Sequence, residues 1–450
     1  MRPYRPRVVA GEGGDGEQVL EHILMGDDLV ERAPVDQVND NYRLRVRRTP
    51  RGGVVFNLAA PLTDEELGPD AQNRLQRWYA DTDHGVDPSA VYLQAYVGAS
   101  ATDSPLALHQ ELRRTRPDLA LYWGVASSAS SVPEGGVPLL MRSREWYDVL
   151  ARAAYVVTNA DLDRWFVKRE HQLVLQAFHG NPGKAMGIMQ WEAKQFTPRR
   201  IELELDRTAR TWDLLLSPSP EMDQYYRREY RYDGPIHNQG YPRDDMLVAE
   251  TADDVRRDAR RRLGIRDDQK AVLYAPTWRD DLATSFGSAS FVKHLDLESA
   301  SEALGDDYVF LMRGHRFHTH EAERGARAAR LLDVTDYPEI NDLILASDAA
   351  VLDYSSVRFD FALTEKPMIF LVPDLDSYTG GVRGYLYDYA GSAPGPLLGS
   401  ADEVVSALRD LDGLRARHAQ AYRSFNARFN YLQDGSASER VAGIFFAGEN

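Results

Sequence analysis

The stretch from Val334 to Val372, VTDYPEINDLILASDAAVLDYSSVRFDFALTEKPMIFLV, constrains the fold of this chain more than any other. An apolar run ends at Asp353, the hydroxyls of Ser355 and Ser356 follow, and a helical pattern begins at once. Lys366-Pro367 stops that pattern, because proline cannot continue a helix, and a second apolar run follows. Strand, turn, helix and strand in this order form the repeating unit of an open parallel sheet, whose neighbours need a crossover between them. Ligands of such sheets bind outside the carboxyl ends of the strands, where a helix start offers N–H groups to a phosphate. The segment therefore reads as half of a nucleotide-binding site.

A chain of 450 residues exceeds what one core serves, so two or three domains are expected. Residues 1–89 read as an accessory subdomain or linker. There Tyr42-Arg-Leu-Arg-Val-Arg alternates apolar and basic residues, Thr49-Pro-Arg-Gly-Gly makes a turn and Val54-Val-Phe-Asn-Leu resumes, which predicts a β-hairpin. Thr63 and Glu66 have capping-box spacing ahead of a helical segment. From Ala90 short apolar runs alternate with helical stretches, and 90–250 reads as a first Rossmann-like domain. A second series begins near Asp253, so 251–450 reads as another, closed by a stretch from Ser400 that is helical throughout. The predicted class is α/β, with two Rossmann-like domains and a small hairpin-and-helix segment before them.

Lys and Arg total 53 against 69 Asp and Glu, a net charge of -16, so the chain as a whole is not built to coat nucleic acid. Any anionic partner must meet a local cluster of cations. The absence of cysteine excludes disulfides and thiol chemistry and fits a reducing compartment. No apolar run reaches membrane-spanning length, and the expectation is a cytoplasmic protein that meets a membrane only from its surface.

Chemistry-bearing residues gather at the ends of four apolar runs. His179 leaves a strand into the loop His-Gly-Asn-Pro-Gly-Lys184, where an imidazole titrating near neutral pH suits a general base, or simply caps the strand. In Tyr274-Ala-Pro-Thr-Trp-Arg-Asp-Asp281, Thr277 and Arg279 reach the same sheet edge, Arg279 bound either to a phosphate or to a neighbouring Asp. Arg313, His315, His318 and His320 concentrate positive charge after the third run. Zinc is the rival there, but the spacing fits no helix-borne metal motif and the arginines repel a cation, so an anion site without metal is preferred. At the fourth run Ser355 and Ser356 either cap a helix or donate to a diphosphate, and Asp360, one turn on, is placed to accept from ribose hydroxyls.

The ordered series QAFHGNPGKAMG, WDLLLSPSP, GYPRDDML, VLYAPTWRDD, LMRGHRFH, the opening stretch, EKPMIFLVPDLDSY and RGYLYDY resembles the CDP-glycerol glycerophosphotransferase family, whose members prime or polymerise teichoic acids and capsule polymers. The resemblance runs from about Val91 to about Phe429. It implies a two-domain type B glycosyltransferase fold, with acceptor on the N-terminal half and a CDP-alcohol donor on the C-terminal half. It implies His179 as the base in place of the histidine of the family's HGTP motif. It implies that His315, catalytic with His179, and Ser355 and Ser356 hold the donor diphosphate; the residues themselves add Arg279 and Arg313 to that set and place Thr277 and Asp360 near the nucleotide. Asn181 and Lys184 fall on the acceptor side, and no cofactor is required beyond the CDP-glycerol or CDP-polyol itself. Two departures stand beside this centre: HGNP for HGTP, and Arg316 where proline often follows the second histidine. The acceptor implied is a lipid-linked or growing polyol-phosphate polymer, and the mixed basic and apolar segment from Lys184 to Arg200 has the character of an interfacial surface. A nucleotide-sugar glycosyltransferase of the same fold and a non-catalytic polymer-binding protein are the alternatives.

Overall fold

The computed structural model describes residues 27–48, 53–277, 294–314, 330–379 and 384–447, and the backbone of short strands at 2–4, 9–10, 18–19, 283–285 and 288–289. Two compact units divide it. The first comprises Met1–Ala101, Asp118–Val156 and Asp161–Gln172; the second comprises Thr102–Pro117, Val157–Ala160 and Leu173–Asn450.

In the first unit, β1 (Arg2–Tyr4), β2 (Val35–Val38), β3 (Arg43–Arg48) and β4 (Val54–Ala59) form an antiparallel sheet in the order β1-β4-β3-β2. The expected hairpin is its β3/β4 pair, with Leu44 opposite Leu58 and Val46 opposite Phe56. Its basic row is largely occupied locally: Arg45 grips Asp36 through two bonds of 2.6 Å, and buried Arg43 meets Asp64 at 2.6 Å. The following helix starts at Pro69, later than the Thr63–Glu66 box suggests. Glu66 does accept from the Thr63 N–H at 2.9 Å, but Gly68 turns left-handed at φ 90° and Pro69 brings the φ that a first helical position needs. Beyond it β5 (Asp87–Gln94), β6 (Ala120–Val125) and β7 (Gly136–Leu140) run parallel, Val91 opposite Leu121 and Trp123 opposite Pro138.

The second unit carries β8 (Leu173–Gln176), β9 (Leu214–Ser217) and β10 (Ile236–Asn238), again parallel. It also holds a six-stranded parallel sheet of β11 (Lys270–Ala275), β12 (Tyr308–Met312), β13 (Leu331–Asp333), β14 (Ala349–Leu352), β15 (Met368–Leu371) and β16 (Leu397–Leu398). Their order is β13-β12-β11-β14-β15-β16. That is the Rossmann sequence 3-2-1-4-5-6, which reverses direction between β11 and β14. The inner strands are apolar at nearly every position because helices cover both faces of such a sheet. Val272, Phe310, Val351, Ile369 and Leu371 pack with Val404 and Leu408 from the helix Ala401–Arg409. The C-terminal stretch is not one helix: Asp410 interrupts it, its carboxylate accepting from the Gly413 N–H at 3.0 Å and starting the helix Leu411–Phe429 afresh.

A cluster of buried charge joins distant parts of this unit. Arg243 donates to Asp360 at 2.8 Å and lies 3.4 Å from Asp244 and 3.6 Å from Asp103. Burial pushes the carboxyls of Asp244 and Asp360 up. Glu339 closes the cluster by accepting from the Asp103 N–H at 3.4 Å, and burial together with the Asp103 charge raises its carboxyl to about 7. Between the ordinary value of 4.5 and that value, the folded chain keeps a proton that the unfolded chain has released. Stability from this residue is therefore full below pH 4.5 and is lost as the pH rises toward 7. Glu339→Gln should flatten that decline, so that the melting temperature at pH 8 rises relative to that at pH 5 by about 1–4 °C. Scanning calorimetry of both proteins at the two pH values decides it, and parallel slopes would rule Glu339 out.

Candidate active site

His179 sits three residues beyond β8, after a backbone reversal at Phe178. Phe178 takes φ 49°, a left-handed conformation that costs an aromatic residue free energy. The surroundings hold it there: the Gln176 side-chain oxygen accepts from the Phe178 N–H at 3.0 Å, and the ring packs against Trp212, Tyr226 and Tyr230. The imidazole Nδ1 lies 2.8 Å from the Asn159 carbonyl oxygen. A carbonyl can only accept, so Nδ1 carries the proton and Nε2 is the basic nitrogen of the neutral ring. This is the tautomer a general base requires.

The loop after His179 is pinned by backbone bonds. The Leu386 N–H donates to Gly183 at 2.7 Å, and the Ala185 N–H donates to Gly384 at 3.2 Å. Glycine is needed at 183, where a Cβ would come within 2.5 Å of the Tyr385 hydroxyl. Between these anchors Lys184 directs its ammonium to Thr277 Oγ1 at 3.4 Å. Asn181 is buried, and its Oδ1 has no hydrogen-bond partner among the described residues.

Thr277 lies just beyond the end of β11 and Asp353 just beyond the end of β14, the two strands between which the sheet order reverses. The Asp353 carboxylate accepts from the Thr277 N–H at 2.9 and 2.8 Å and also from its hydroxyl. The Tyr389 hydroxyl donates to the Asp353 carbonyl at 2.7 Å. Ser355 and Ser356 follow, with Ser355 Oγ accepting from the Val357 N–H at 3.4 Å and Ser356 making no side-chain cap. Gly180 lies directly against this turn: a Cβ there would stand 2.7 Å from Ser356 Oγ. The structure thus brings together His179, Lys184, Thr277 and Ser356 with Asp353 as their organiser.

Other expected residues are placed differently. Arg313 donates to the carbonyls of Val334 and Tyr337 and braces the end of β12. Asp360 is buried on Arg243 within the charged cluster. Arg279 and the histidines 315, 318 and 320 lie outside the described residues. Two positions that sequence reasoning passed over prove central. Asp353 was legible as the last residue of an apolar run, whereas Asn159 acts through its carbonyl and leaves no side-chain signature.

A profile of the family described as CDP-glycerol:poly(glycerophosphate) glycerophosphotransferase matches residues 79–447. The teichoic acid poly(glycerol phosphate) polymerase of Bacillus subtilis (strain 168) is 31% identical over 368 residues, covering 81% of this chain and 49% of its own length. This chain therefore spans about half the length of that relative. The teichoic acid glycerol-phosphate transferase of Staphylococcus aureus (strain NCTC 8325 / PS 47) is 33% identical over 362 residues, 79% of this chain and 92% of that protein. Among solved structures, the wall teichoic acid polymerase TagF is similar with a TM-score of 0.76 at 28% identity, covering 83% of this chain and 93% of that one. A histidine-to-asparagine variant of TagF was also solved after a soak with CDPG.

Asp353 organises these parts, and its removal should be costly. Asp353→Ala removes the charged acceptor of the half-buried Thr277 N–H and hydroxyl, and a hydrogen bond to a charged group contributes about 1.5–3 kcal/mol. Asp353→Asn keeps one acceptor oxygen and should lose less. Urea unfolding of the two variants tests this; a loss below about 0.5 kcal/mol for the alanine variant would contradict the role.

Proposed function

The chain belongs to the CDP-glycerol:poly(glycerophosphate) glycerophosphotransferase family, and we propose that it transfers glycerol phosphate from CDP-glycerol to a hydroxyl of a growing or lipid-linked teichoic acid polymer. The observation that supports this reading is the close approach of Gly180, next to His179, to Ser356: a Cβ on the glycine would stand 2.7 Å from Ser356 Oγ.

In the proposed reaction, an acceptor hydroxyl gives its proton to His179 Nε2 as its oxygen bonds to the glycerol-bearing phosphorus of CDP-glycerol. The bond from that phosphorus to the bridging oxygen breaks, and CMP leaves with the electron pair. Negative charge grows on the bridging and equatorial oxygens, and donors already aimed there lower the barrier without reorganising. We assign this role to Ser355 and Ser356, and leave Lys184 with Asn181 on the acceptor side. Arg279 and His315 complete the set we assign to the diphosphate, with acceptor to residues 90–250 and donor to 251–450. A positioned base contributes on the order of a hundredfold to ten-thousandfold in rate. His179→Ala should therefore abolish transfer yet bind CDP-glycerol within about threefold of the parent protein. Incubation with CDP-glycerol or CDP-ribitol and a short acceptor, following the nucleotide released and the product mass, tests the whole reading. Release of a nucleoside diphosphate would point instead to a glycosyltransferase, and near-parental turnover by the alanine variant would remove His179 from the mechanism.

We place membrane contact, where the acceptor's lipid would lie, on the segment from Lys184 to Arg200. Among the described residues no helix is long and apolar enough to cross a membrane. Trp191 packs edge-on against Tyr230, while Lys194, Arg199, Arg200 and Leu203 are exposed. Exposed cations above an apolar body suit attraction to an anionic interface, worth about 1 kcal/mol per basic residue. Changing Lys194, Arg199 and Arg200 together to Glu should cut co-sedimentation with anionic liposomes at least tenfold. Unchanged co-sedimentation would exclude this segment.

A further inference from the structure

Four arginines are buried among the described residues, and three of them meet a carboxylate: Arg43 at Asp64, Arg243 at Asp360 and Arg260 at Asp348. Arg358, fully buried, meets none. Its Nη2 reaches the Tyr387 hydroxyl at 3.4 Å and Ser392 Oγ at 3.3 Å, both long, and its Nε and Nη1 have no hydrogen-bond partner among the described residues. Aromatic rings take the place of counter-ions, with the guanidinium carbon 4.7 Å from the Tyr389 ring centre, 4.9 Å from Phe359 and 5.5 Å from Tyr385. Such faces attract a cation but carry no net charge, so the positive charge remains uncompensated.

Its position gives that charge a use. Arg358 follows Ser356 by two residues, and its own N–H points back to the Ser355 carbonyl at 3.4 Å. Tyr389, whose ring faces the guanidinium, holds the Asp353 carbonyl through its hydroxyl. The uncompensated cation is therefore built into the support of the Asp353–Ser356 turn. In a protein interior a charge acts over longer range than in water, because little solvent screens it. We propose that Arg358 is the standing counter-charge for the donor's diphosphate, a positioning residue that makes the turn attractive to an anion without touching it. This rests on the reading of the turn as the donor site. It also accounts for a buried cation that no carboxylate among the described residues satisfies, since the negative charge arrives with the substrate.

A purely structural arginine and a standing counter-charge behave differently when replaced. Arg358→Met keeps the length and apolar bulk and removes the charge. Titration calorimetry on the full chain with cytidine, CMP and CDP-glycerol, beside thermal unfolding, separates the two roles. The expected result is cytidine affinity within twofold of the parent protein, CMP and CDP-glycerol affinities at least tenfold weaker, and a melting temperature unchanged or raised. Equal losses for all three ligands, or unchanged CDP-glycerol affinity, overturn the proposal. Should the methionine variant not fold, Arg358→Lys decides: the ratio of CDP-glycerol to cytidine affinity should stay within threefold of the parent value, and a larger fall overturns the role of charge. Failure of the parent protein to bind any of the three refutes the donor-site reading, and this inference with it.

Discussion

The carboxylate of Asp353 and the backbone of Thr277 meet where the six-stranded sheet changes direction, and the candidate site is organised from that contact. At such a reversal the crossovers leave the two central strands toward opposite faces, opening a crevice at their carboxyl ends. Something must keep the diverging segments in register there. Asp353 does so with its side chain on Thr277, while Tyr389 holds its backbone carbonyl. A residue fixed at both ends gives the following Ser355 and Ser356 a defined position, and precision of this kind separates a site from a loop that merely carries the right residues. The Lys184 ammonium, attached to the hydroxyl of the same Thr277, extends the order to the loop of His179.

Much of this was legible in the amino-acid sequence, for a physical reason. Strands covered on both faces must be apolar at nearly every position, so β11, β14 and β15 stand out as runs, and the hydroxyls after β14 mark the turn. The β3/β4 hairpin was legible because alternation and turn residues are local signals. Helix boundaries were less so. Pro69 overrides the capping pattern at Thr63, and Asp410 splits a stretch that reads as continuous helix. Partner choice was least legible. Asp360 stands one turn beyond Ser356, but only the tertiary structure shows Arg243 claiming its carboxylate. The orientation of His179 depends on the Asn159 carbonyl, which any residue at 159 would supply, so no side-chain pattern could announce it.

Charge links these observations. The chain carries a net -16, yet its proposed donor and acceptor are both phosphate esters. At physiological ionic strength the screening length is about 8 Å, so the overall negative field fades within a short distance of the surface. A substrate that reaches the crevice responds to the nearest fixed charges and hydrogen-bond donors. Buried groups outweigh surface ones in that balance because water does not screen them. The same physics makes the Arg243 cluster expensive to assemble, and burial there pushes the carboxyls of Asp244 and Asp360 up. A buried acid whose charge goes unmatched can take up a proton. Arginine has no such recourse, since it stays protonated at any pH a protein survives, and a buried one must find an anion or go without. Two sides of the helix Val357–Ala362 show both solutions. Arg358 faces aromatic rings, and two residues on, on another side of the helix, Asp360 faces Arg243. A single short helix thereby ties the turn that ends β14 to the charged cluster.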